Sequence, residues 1–344
     1  MTVNGPELAY AADMMVRDYF CVVPGDNLLI TADTATDRDV VDAVMNAAHT
    51  IGAKPAVMTS PQLPYQGALA NAYISEPLVA AMRQCDAWID LQFPYVAGSD
   101  AHDEAMKSNR MRYLLAGDLS AGGLIRMFGK VDLDQLYGVK DRLCDIIAEA
   151  TGKKVRITNP LGSDVTFNLA KPAFTKSRHA DRPGLYFVPG SCTMFPEPDS
   201  VRGMVAIDAA FHEFYEPMSE PMMLTIDGKI KNVDGGGTSR TVMDRSLKRA
   251  GGGDYGYVIH FTYAIQPSAR YTGKSFVEDS RVTGSNAVGL GIPFWEPGGG
   301  ENHPDGVLTQ QSIWIDGAKI VEDGIIIGPT DLAKAAEAVL PVHH

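Results

Sequence analysis

The sequence predicts an α/β chain of two parts: a Rossmann-like domain with a parallel sheet over residues 1–150, and a β-rich α+β domain over residues 151–344. Buried strands alternate with amphipathic helices in the first part, which is typical of parallel sheets. Short alternating strands separated by turns dominate the second part. Glycine is also uneven, with 10 residues in the first part and the remaining 24 of 34 in the second.

The first part predicts a parallel sheet through its element order. A strand, an amphipathic helix and a second strand follow one another, which implies a right-handed crossover. Thr36 and Asp37 are candidate N-caps of that helix. The predicted elements are a helix at Pro6–Phe20, strands at Asn27–Thr31 and Ala56–Met58, further strands at Ala87–Phe93 and Met111–Leu115, and a helix at Asp134–Ala150.

The turn after the first predicted strand argues against a dinucleotide site. It reads Thr31-Ala32-Asp33-Thr34-Ala35-Thr36, without a glycine that would let a pyrophosphate approach the backbone. The chain also lacks a P-loop sequence.

The second part opens with a hairpin signal. Lys154–Thr158 and Val165–Leu169 alternate in polarity, and Pro160–Asp164 supplies the turn between them. One helix stands out among the later strands, at Thr238–Ala250. The further predicted strands are Gly203–Asp208, Met222–Ile226, Tyr257–Tyr263 and Ser312–Ile315.

Composition excludes several classes of protein. A net charge of −12, without a basic cluster, argues against nucleic-acid binding. No apolar run approaches the roughly 18 residues that a membrane span requires, and the N-terminus does not resemble a signal peptide. The four cysteines have no metal-site or CxxC spacing, so we expect reduced thiols and a cytoplasmic protein.

A glycine-rich stretch carries the strongest candidate for chemistry. It runs from Gly298 to Gly306 and contains His303 and Asp305, whose spacing places both side chains on one side of an extended backbone. An imidazole and a carboxylate so arranged are two ligands of a divalent metal. An ordinary surface loop in which the two residues hydrogen-bond to each other explains the spacing equally well.

His260 is the candidate third ligand. It lies in the apolar strand Tyr257–Tyr263, where a single histidine is more often a satisfied core residue. A strand nevertheless gives a rigid platform for a ligand, and His303 with Asp305 needs a partner.

Several stretches of the second part resemble the aminopeptidase T (M29) superfamily and its 2,5-dihydroxypyridine 5,6-dioxygenase branch. The resemblance covers most of the second part and, more weakly, the first. His303-Pro304-Asp305 is similar to the shared His-x-Asp motif. The other similar stretches are Phe187–Thr193, Pro198–Gly203, Ile259–Pro267 and Gly284–Gly291.

Departures from the peptidase pattern favour the dioxygenase branch. Two glutamate positions of the two-metal peptidases hold Cys192 and His260 here, and a histidine position holds Ala287. One departure is from the dioxygenase branch itself, for which the resemblance suggests a further serine ligand near residue 290, where this chain has Leu290. The remaining residues, His260, His303 and Asp305, have the composition of the two-histidine, one-carboxylate set of non-haem Fe(II) oxygenases.

The resemblance therefore implies a mononuclear Fe(II) dioxygenase. It would open 2,5-dihydroxypyridine or a related hydroxylated aromatic ring and insert both atoms of dioxygen. A metal-dependent hydrolase of the M29 type and a non-enzymatic binding protein of the same fold remain the alternatives. The family also favours a homo-oligomer.

Other histidines are candidates for supporting roles. His102 lies beyond the strand that ends at Phe93 and is a candidate general base, although an exposed position at a helix start explains it as well. His179 is a candidate substrate contact in a polar loop. His212 is expected on the surface of a hairpin tip. Glu296 could orient a ligand histidine or be a loop acid, and Cys192 is expected to be a structural thiol.

Overall fold

The computed structural model describes residues 5–172, 179–293, 296, 299 and 303–342. Its α-helices are Gly5–Asp13 (α1), Arg38–Ile51 (α2), Glu76–Gln84 (α3), Asp100–Lys107 (α4), Ala121–Leu124 (α5), Leu133–Glu149 (α6), Ser239–Ala250 (α7), Phe276–Asp279 (α8) and Thr330–Ala338 (α9). Single π-helical segments, Met14–Tyr19 and Ile125–Gly129, continue α1 and α5, and 3-10 turns cover Gly67–Tyr73 and Pro198–Ser200.

The β-strands follow the same chain order. They are Asn27–Asp33 (β1), Lys54–Ser60 (β2), Ala87–Asp90 (β3), Arg112–Leu115 (β4), Lys154–Thr158 (β5), Asp164–Asn168 (β6), Gly184–Phe187 (β7), Ser191–Met194 (β8), Arg202–Phe211 (β9), Tyr215–Asp227 (β10), Lys229–Gly235 (β11), Tyr257–Ala264 (β12), Asn286–Gly291 (β13), Asp305–Leu308 (β14), Ser312–Ile315 (β15), Ala318–Glu322 (β16) and Ile325–Ile326 (β17).

The chain divides into two compact units. The first comprises Met1–Val131, Ser177–Pro189 and Pro341–His344, and the second comprises Asp132–Lys176 and Gly190–Leu340. The sequence predicts a single division at residue 150, and the structure differs in two places. Helix α6 belongs to the second unit because it packs against α9 and β8. Strand β7 returns to the first unit because it pairs with β4.

A parallel five-stranded sheet forms the first unit, in the order β2-β1-β3-β4-β7. Every residue of β1 after Asn27 is buried, as expected for a central parallel strand covered on both faces. Helix α2 begins at the N-cap Asp37, whose carboxylate accepts a hydrogen bond from the Asp39 amide. It ends at Gly52, whose φ of 93° is open to glycine without strain.

The turn after β1 is closed by its own aspartate. Asp33 Oδ1 accepts hydrogen bonds from the Ala35 and Thr36 amides, and Oδ2 accepts one from the Phe93 amide. In a dinucleotide site, amides at this position would face a phosphate. The Asp33 carboxylate instead occupies these donors, which agrees with the absence of glycine in the turn.

A large antiparallel sheet forms the second unit, and part of it closes on itself. Each strand from β9 to β13 pairs with the next strand in the sequence. Strand β14 pairs with the other edge of β9 and so closes the ring. The N-terminal part of β9 pairs with β6 instead of β14. From β6 the sheet continues through β5, β15, β16 and β17. Strand β8 pairs with residues 261–264 of β12, beyond the point where β11 pairs with Tyr257.

The predicted fold class is confirmed as a mixed α/β architecture with one parallel sheet and one curled antiparallel sheet. Within the described part of the chain, no helix combines the length and apolar character needed to cross a membrane.

Candidate metal centre

Three side chains with metal-ligating atoms converge on one face of the curled sheet. His260 lies in the middle of β12, Asp305 is the first residue of β14, and His303 precedes it by two positions. The ligand atoms of the three side chains all lie within 4.8 Å of one another. The structure thus brings together all three residues that the sequence proposed as ligands.

Strand register aligns this group across three neighbouring strands. His260 on β12 lies opposite Gly289 on β13, and Gly289 lies opposite Asp305 on β14. Residues aligned across a sheet project to the same face. His260 and Asp305 therefore share a face with only a glycine between them.

Gly289 leaves the space that the His260 ring occupies. A Cβ atom at position 289 would lie 2.2 Å from Nε2 and 2.4 Å from Cδ2 of His260. Such separations are far below van der Waals contact, so no side chain can coexist with the ring in this position. Leu290, which replaces the serine suggested by the resemblance, is the next residue along β13 and is fully buried.

A bulge in β12 sets the direction of His260. The register shifts between Val258, opposite Leu290, and His260, opposite Gly289, so Ile259 is the extra residue. Without this insertion, Ile259 would lie opposite Gly289. Bulges commonly re-aim a side chain near functional sites, and here the bulge exchanges an apolar side chain for an imidazole.

The distances define a compact polar cluster. Nε2 of His260 lies 3.5 Å from Oδ1 of Asp305, and Nε2 of His303 lies 3.2 Å from Oδ2 of the same carboxylate. The two imidazole rings are nearly perpendicular, with centroids 5.6 Å apart. One carboxylate thus faces two ring nitrogens, and a bound divalent cation would have one oxygen and two nitrogen donors.

Burial keeps His260 in the protonation state that a metal ligand requires. Desolvation lowers the pKa of His260 to about 4, against the opposing effect of the Asp305 charge. The neutral ring therefore keeps a lone pair for a metal at neutral pH. Together with the space over Gly289, this donor set fits a mononuclear divalent metal.

The other predicted site residues lie elsewhere. His102 is in the first unit, on α4, and is buried rather than exposed at the helix start. Its Nδ1 accepts a hydrogen bond from the Gly98 amide and lies 3.0 Å from Oδ1 of Asp103. Burial lowers the pKa of His102, and Nε2 has no hydrogen-bond partner among the described residues.

His179 and His212 are both engaged with nearby groups. Nδ1 of His179 lies 2.8 Å from the Asp18 carbonyl oxygen within the first unit. The expectation that His212 is on the surface is wrong, because its side chain is fully buried at the β9–β10 hairpin. Its Nδ1 accepts hydrogen bonds from the amides of Glu213 and Phe214, and Nε2 lies 3.3 Å from Glu216.

The remaining predictions concern the loop and Cys192. Glu296 is exposed, and most of the glycine-rich stretch before His303 lies outside the described residues. Cys192 is buried on β8, with its Sγ 3.0 Å from that of Cys144 on α6. Cys144 and Cys192, which are far apart in the sequence, are therefore in contact in the fold.

Sequence reasoning missed the residues that support the ligands. Gly289 lies in the Gly284–Gly291 stretch, but only its strand register shows that it faces His260. Thr262, whose hydroxyl lies 3.0 Å from Nδ1 of His260, had a usable signal in its spacing of two residues on a strand.

Fold and site together define a class: a two-unit α/β protein with a candidate mononuclear centre of two histidines and one carboxylate. Comparison with protein families then gives a specific assignment. The family model for 2,5-dihydroxypyridine 5,6-dioxygenase matches residues 18–328. The chain belongs to this family of ring-cleaving dioxygenases, which confirms the resemblance seen in the sequence.

Solved structures show the same fold. The 2,5-dihydroxypyridine dioxygenase from Pseudomonas putida KT2440 is similar with a TM-score of 0.72 and 20% identity, covering 96% of this chain and 99% of that one. AmpT from Thermus thermophilus is similar with a TM-score of 0.66 and 13% identity, covering 94% and 99%. Comparison with curated protein sequences gives no match.

Proposed function

We propose that this chain is a mononuclear Fe(II)-dependent, extradiol-type dioxygenase that opens 2,5-dihydroxypyridine or a closely related hydroxylated aromatic ring. The convergence of His260, His303 and Asp305 on one sheet face carries the proposal. Two neutral nitrogen donors and one carboxylate are the protein ligands typical of non-haem Fe(II) oxygenases. Family membership supplies the ring-cleaving reaction.

The ligand set suits a cation that must also bind substrate. Three protein donors leave coordination positions for other ligands, and one carboxylate only partly neutralises a divalent charge. When bound, ferrous iron would act as a Lewis acid toward the ring hydroxyl and supply electrons to dioxygen. The protein's part is to hold the His260 imidazole neutral and to keep the Asp305 carboxylate beside both histidine rings.

A base is needed to remove the proton of the ring hydroxyl, and we propose His102. Its lowered pKa leaves the imidazole neutral near pH 7, as a base must be. The Gly98 amide donates to Nδ1, so the proton of the neutral ring would reside on Nε2. This hydrogen would have to be replaced by a lone pair before Nε2 could accept a proton. In the other tautomer, Nδ1–H would donate to Oδ1 of Asp103 instead of accepting from the Gly98 amide, and Nε2 would carry the lone pair that a base needs.

His179 is proposed as a substrate contact through the ring nitrogen that does not face Asp18. A cytoplasmic location and a homo-oligomeric state belong to the same proposal, the first on the absence of motif-spaced cysteines and the second on the family resemblance.

Anaerobic loading with Fe(II), followed by addition of 2,5-dihydroxypyridine and oxygen, tests the function. We expect about one iron per chain, stoichiometric oxygen uptake and a ring-opened product that carries both atoms of ¹⁸O₂. A protein that binds iron and substrate but consumes no oxygen would contradict the proposal.

The M29-type hydrolase remains the alternative because of the shared fold. Such an enzyme would show zinc or paired manganese and cleavage of short peptides. Among the described residues, His260, His303 and Asp305 form the metal-ligating group found, with Ala287 and Cys192 in place of further ligands. This composition favours the mononuclear dioxygenase.

A further inference from the structure

Two threonines connect the candidate ligand His260 to the neighbouring strand. Thr262 lies two residues beyond His260 on β12, and its Oγ1 is 3.0 Å from Nδ1 of the imidazole. Thr193 on β8 lies directly opposite Thr262, and the two hydroxyl oxygens are also 3.0 Å apart. The contacts form a chain from His260 through Thr262 to Thr193.

The orientation of the His260 ring decides how this chain is used. Nε2 lies over Gly289 and faces Asp305, so it is the nitrogen available to a metal. A neutral imidazole carries its one proton on the other nitrogen when Nε2 binds a metal. Nδ1–H must then donate a hydrogen bond, and Oγ1 of Thr262 lies at the right distance to accept it.

Thr193 offers a hydrogen-bond partner for the Thr262 hydroxyl. A hydroxyl group that accepts from Nδ1–H can donate its own hydrogen to one further acceptor. Oγ1 of Thr193, at 3.0 Å, is in reach to be that acceptor, and in this arrangement the Thr262 hydrogen points away from the imidazole. The Thr262 lone pairs consequently face Nδ1, which disfavours the tautomer with hydrogen on Nε2.

We infer that Thr262, oriented by Thr193, is a positioning residue that holds His260 in the Nδ1–H tautomer with Nε2 free for the metal. The inference rests on the proposed metal centre for its purpose, but the contact between Thr262 and Nδ1 can be tested with or without a metal. Carboxylates and backbone carbonyls usually have this role beside metal-bound histidines. Here the hydroxyl groups of Thr262 and Thr193 have this role, and because they are neutral they add no charge near Asp305.

One neighbouring group competes with Thr262 for the same role. A backbone hydrogen bond with Ala287 also favours the protonated His260 ring. If the Ala287 backbone alone were sufficient to set the His260 tautomer, the Thr262 hydroxyl would be dispensable. The contribution of Thr262 is therefore separable by removing only its hydroxyl.

The test compares Thr262→Val, which keeps the shape and removes the hydroxyl, with Thr262→Ser, which keeps the hydroxyl. Long-range ¹H–¹⁵N spectra of the metal-free protein report which ring nitrogen carries the proton. Anaerobic titration with Co(II) or Fe(II) reports affinity. Thr225→Val, at an exposed position on β10, is the matched control for the same substitution.

We expect Thr262→Val to populate the Nε2–H tautomer of His260 and to weaken metal binding by about 10- to 100-fold, the usual effect of losing such a partner. Thr262→Ser and Thr225→Val should retain the wild-type tautomer and affinity. Thr193→Val should shift both quantities in the same direction as Thr262→Val by a smaller factor. It replaces Thr262→Val as the decisive variant if that protein does not fold.

Unchanged tautomer and affinity in Thr262→Val would overturn the inference and assign the role to the Ala287 carbonyl. Failure of the wild-type protein to bind a divalent metal would instead contradict the proposed function. In that case the tautomer spectra of the metal-free variants still decide the role of Thr262, so the two failures are distinguishable.

Discussion

Gly289 and His260 lie opposite each other on adjacent strands, and the imidazole fills the space where a side chain at position 289 would project. Strand register thus brings a glycine opposite a candidate metal ligand. It also shows why a glycine is required there even though its backbone has no positive φ. The requirement comes from the ligand opposite.

Gly289→Ala should therefore disrupt the metal centre. The added Cβ would lie 2.2 Å from Nε2 of His260, so the ring must rotate away from Asp305. We expect Fe(II) affinity to fall by about 10- to 100-fold, on the scale of ligand-orienting substitutions. Gly138→Ala, where an added Cβ meets nothing within 4 Å, is the matched control and should bind iron normally. An iron-replete Gly289→Ala protein would contradict this view of the site.

His102→Gln should lower turnover without affecting iron content. Loss of a general base typically reduces the rate by about 10²- to 10⁴-fold. Oxygen uptake by the iron-loaded variant measures this, with metal analysis of the same sample. His49→Gln, at an exposed position on α2, is the control. Wild-type turnover in His102→Gln would exclude the catalytic role and leave His102 as a buried structural residue.

Asp90 should make the stability of the first unit fall as pH rises. Its buried carboxyl accepts hydrogen bonds from Thr31, Tyr113 and the amides of Gln92 and Val96. Burial nevertheless raises the pKa of Asp90 to about 6, above the ordinary value of 3.8. Between these values the native state binds more protons than the unfolded state, so raising the pH destabilises the native state.

Urea unfolding of wild type and Asp90→Asn checks this sign. A folded pKa near 6 predicts that the wild-type free energy of unfolding falls by about 1.4 kcal/mol relative to the variant between roughly pH 5 and pH 7. The variant itself should be less stable throughout, because the four donors lose part of their acceptor. A difference that is constant or that grows with pH would refute the assignment.

Mild oxidation should join Cys144 to Cys192. The two Sγ atoms are 3.0 Å apart, so a bond needs only a small movement of helix α6 or strand β8. Hydrogen peroxide would oxidise the two thiols to one disulfide and be reduced to two waters, lowering the mass by about 2 Da. Peptide mapping should find a bridge between these residues that is absent in Cys144→Ser. Oxidised protein with both thiols still open to alkylation after unfolding would contradict the expectation.

Local patterns in the sequence were sufficient to predict most elements. The N-cap at Asp37, the buried strand β1 and the hairpin of β5 and β6 follow from neighbouring residues and periodicity. The His-x-Asp spacing of His303 and Asp305 likewise depends only on strand geometry. Such features are local, so they do not require knowledge of the fold.

Features that depend on distant pairings were not predictable. Strand β7 pairs with β4, which is far away in the sequence. A single domain boundary at residue 150 therefore assigns β7 to the wrong unit. The bulge at Ile259 and the alignment of Gly289 with His260 exist only once three strands are in register. His212 is buried at a hairpin tip, where its Nδ1 accepts hydrogen bonds from the Glu213 and Phe214 amides, and the spacing of neighbouring residues does not reveal this.

Iron content and oxygen uptake of His260→Ala, measured beside wild type, test the central claim most directly. His260 supplies one of two nitrogen donors, and its removal leaves Asp305 and His303 as an incomplete set. We expect about one Fe(II) per wild-type chain with oxygen uptake on adding 2,5-dihydroxypyridine, and loss of both in the variant. A folded His260→Ala protein that retains full iron and full oxygen uptake would contradict the account.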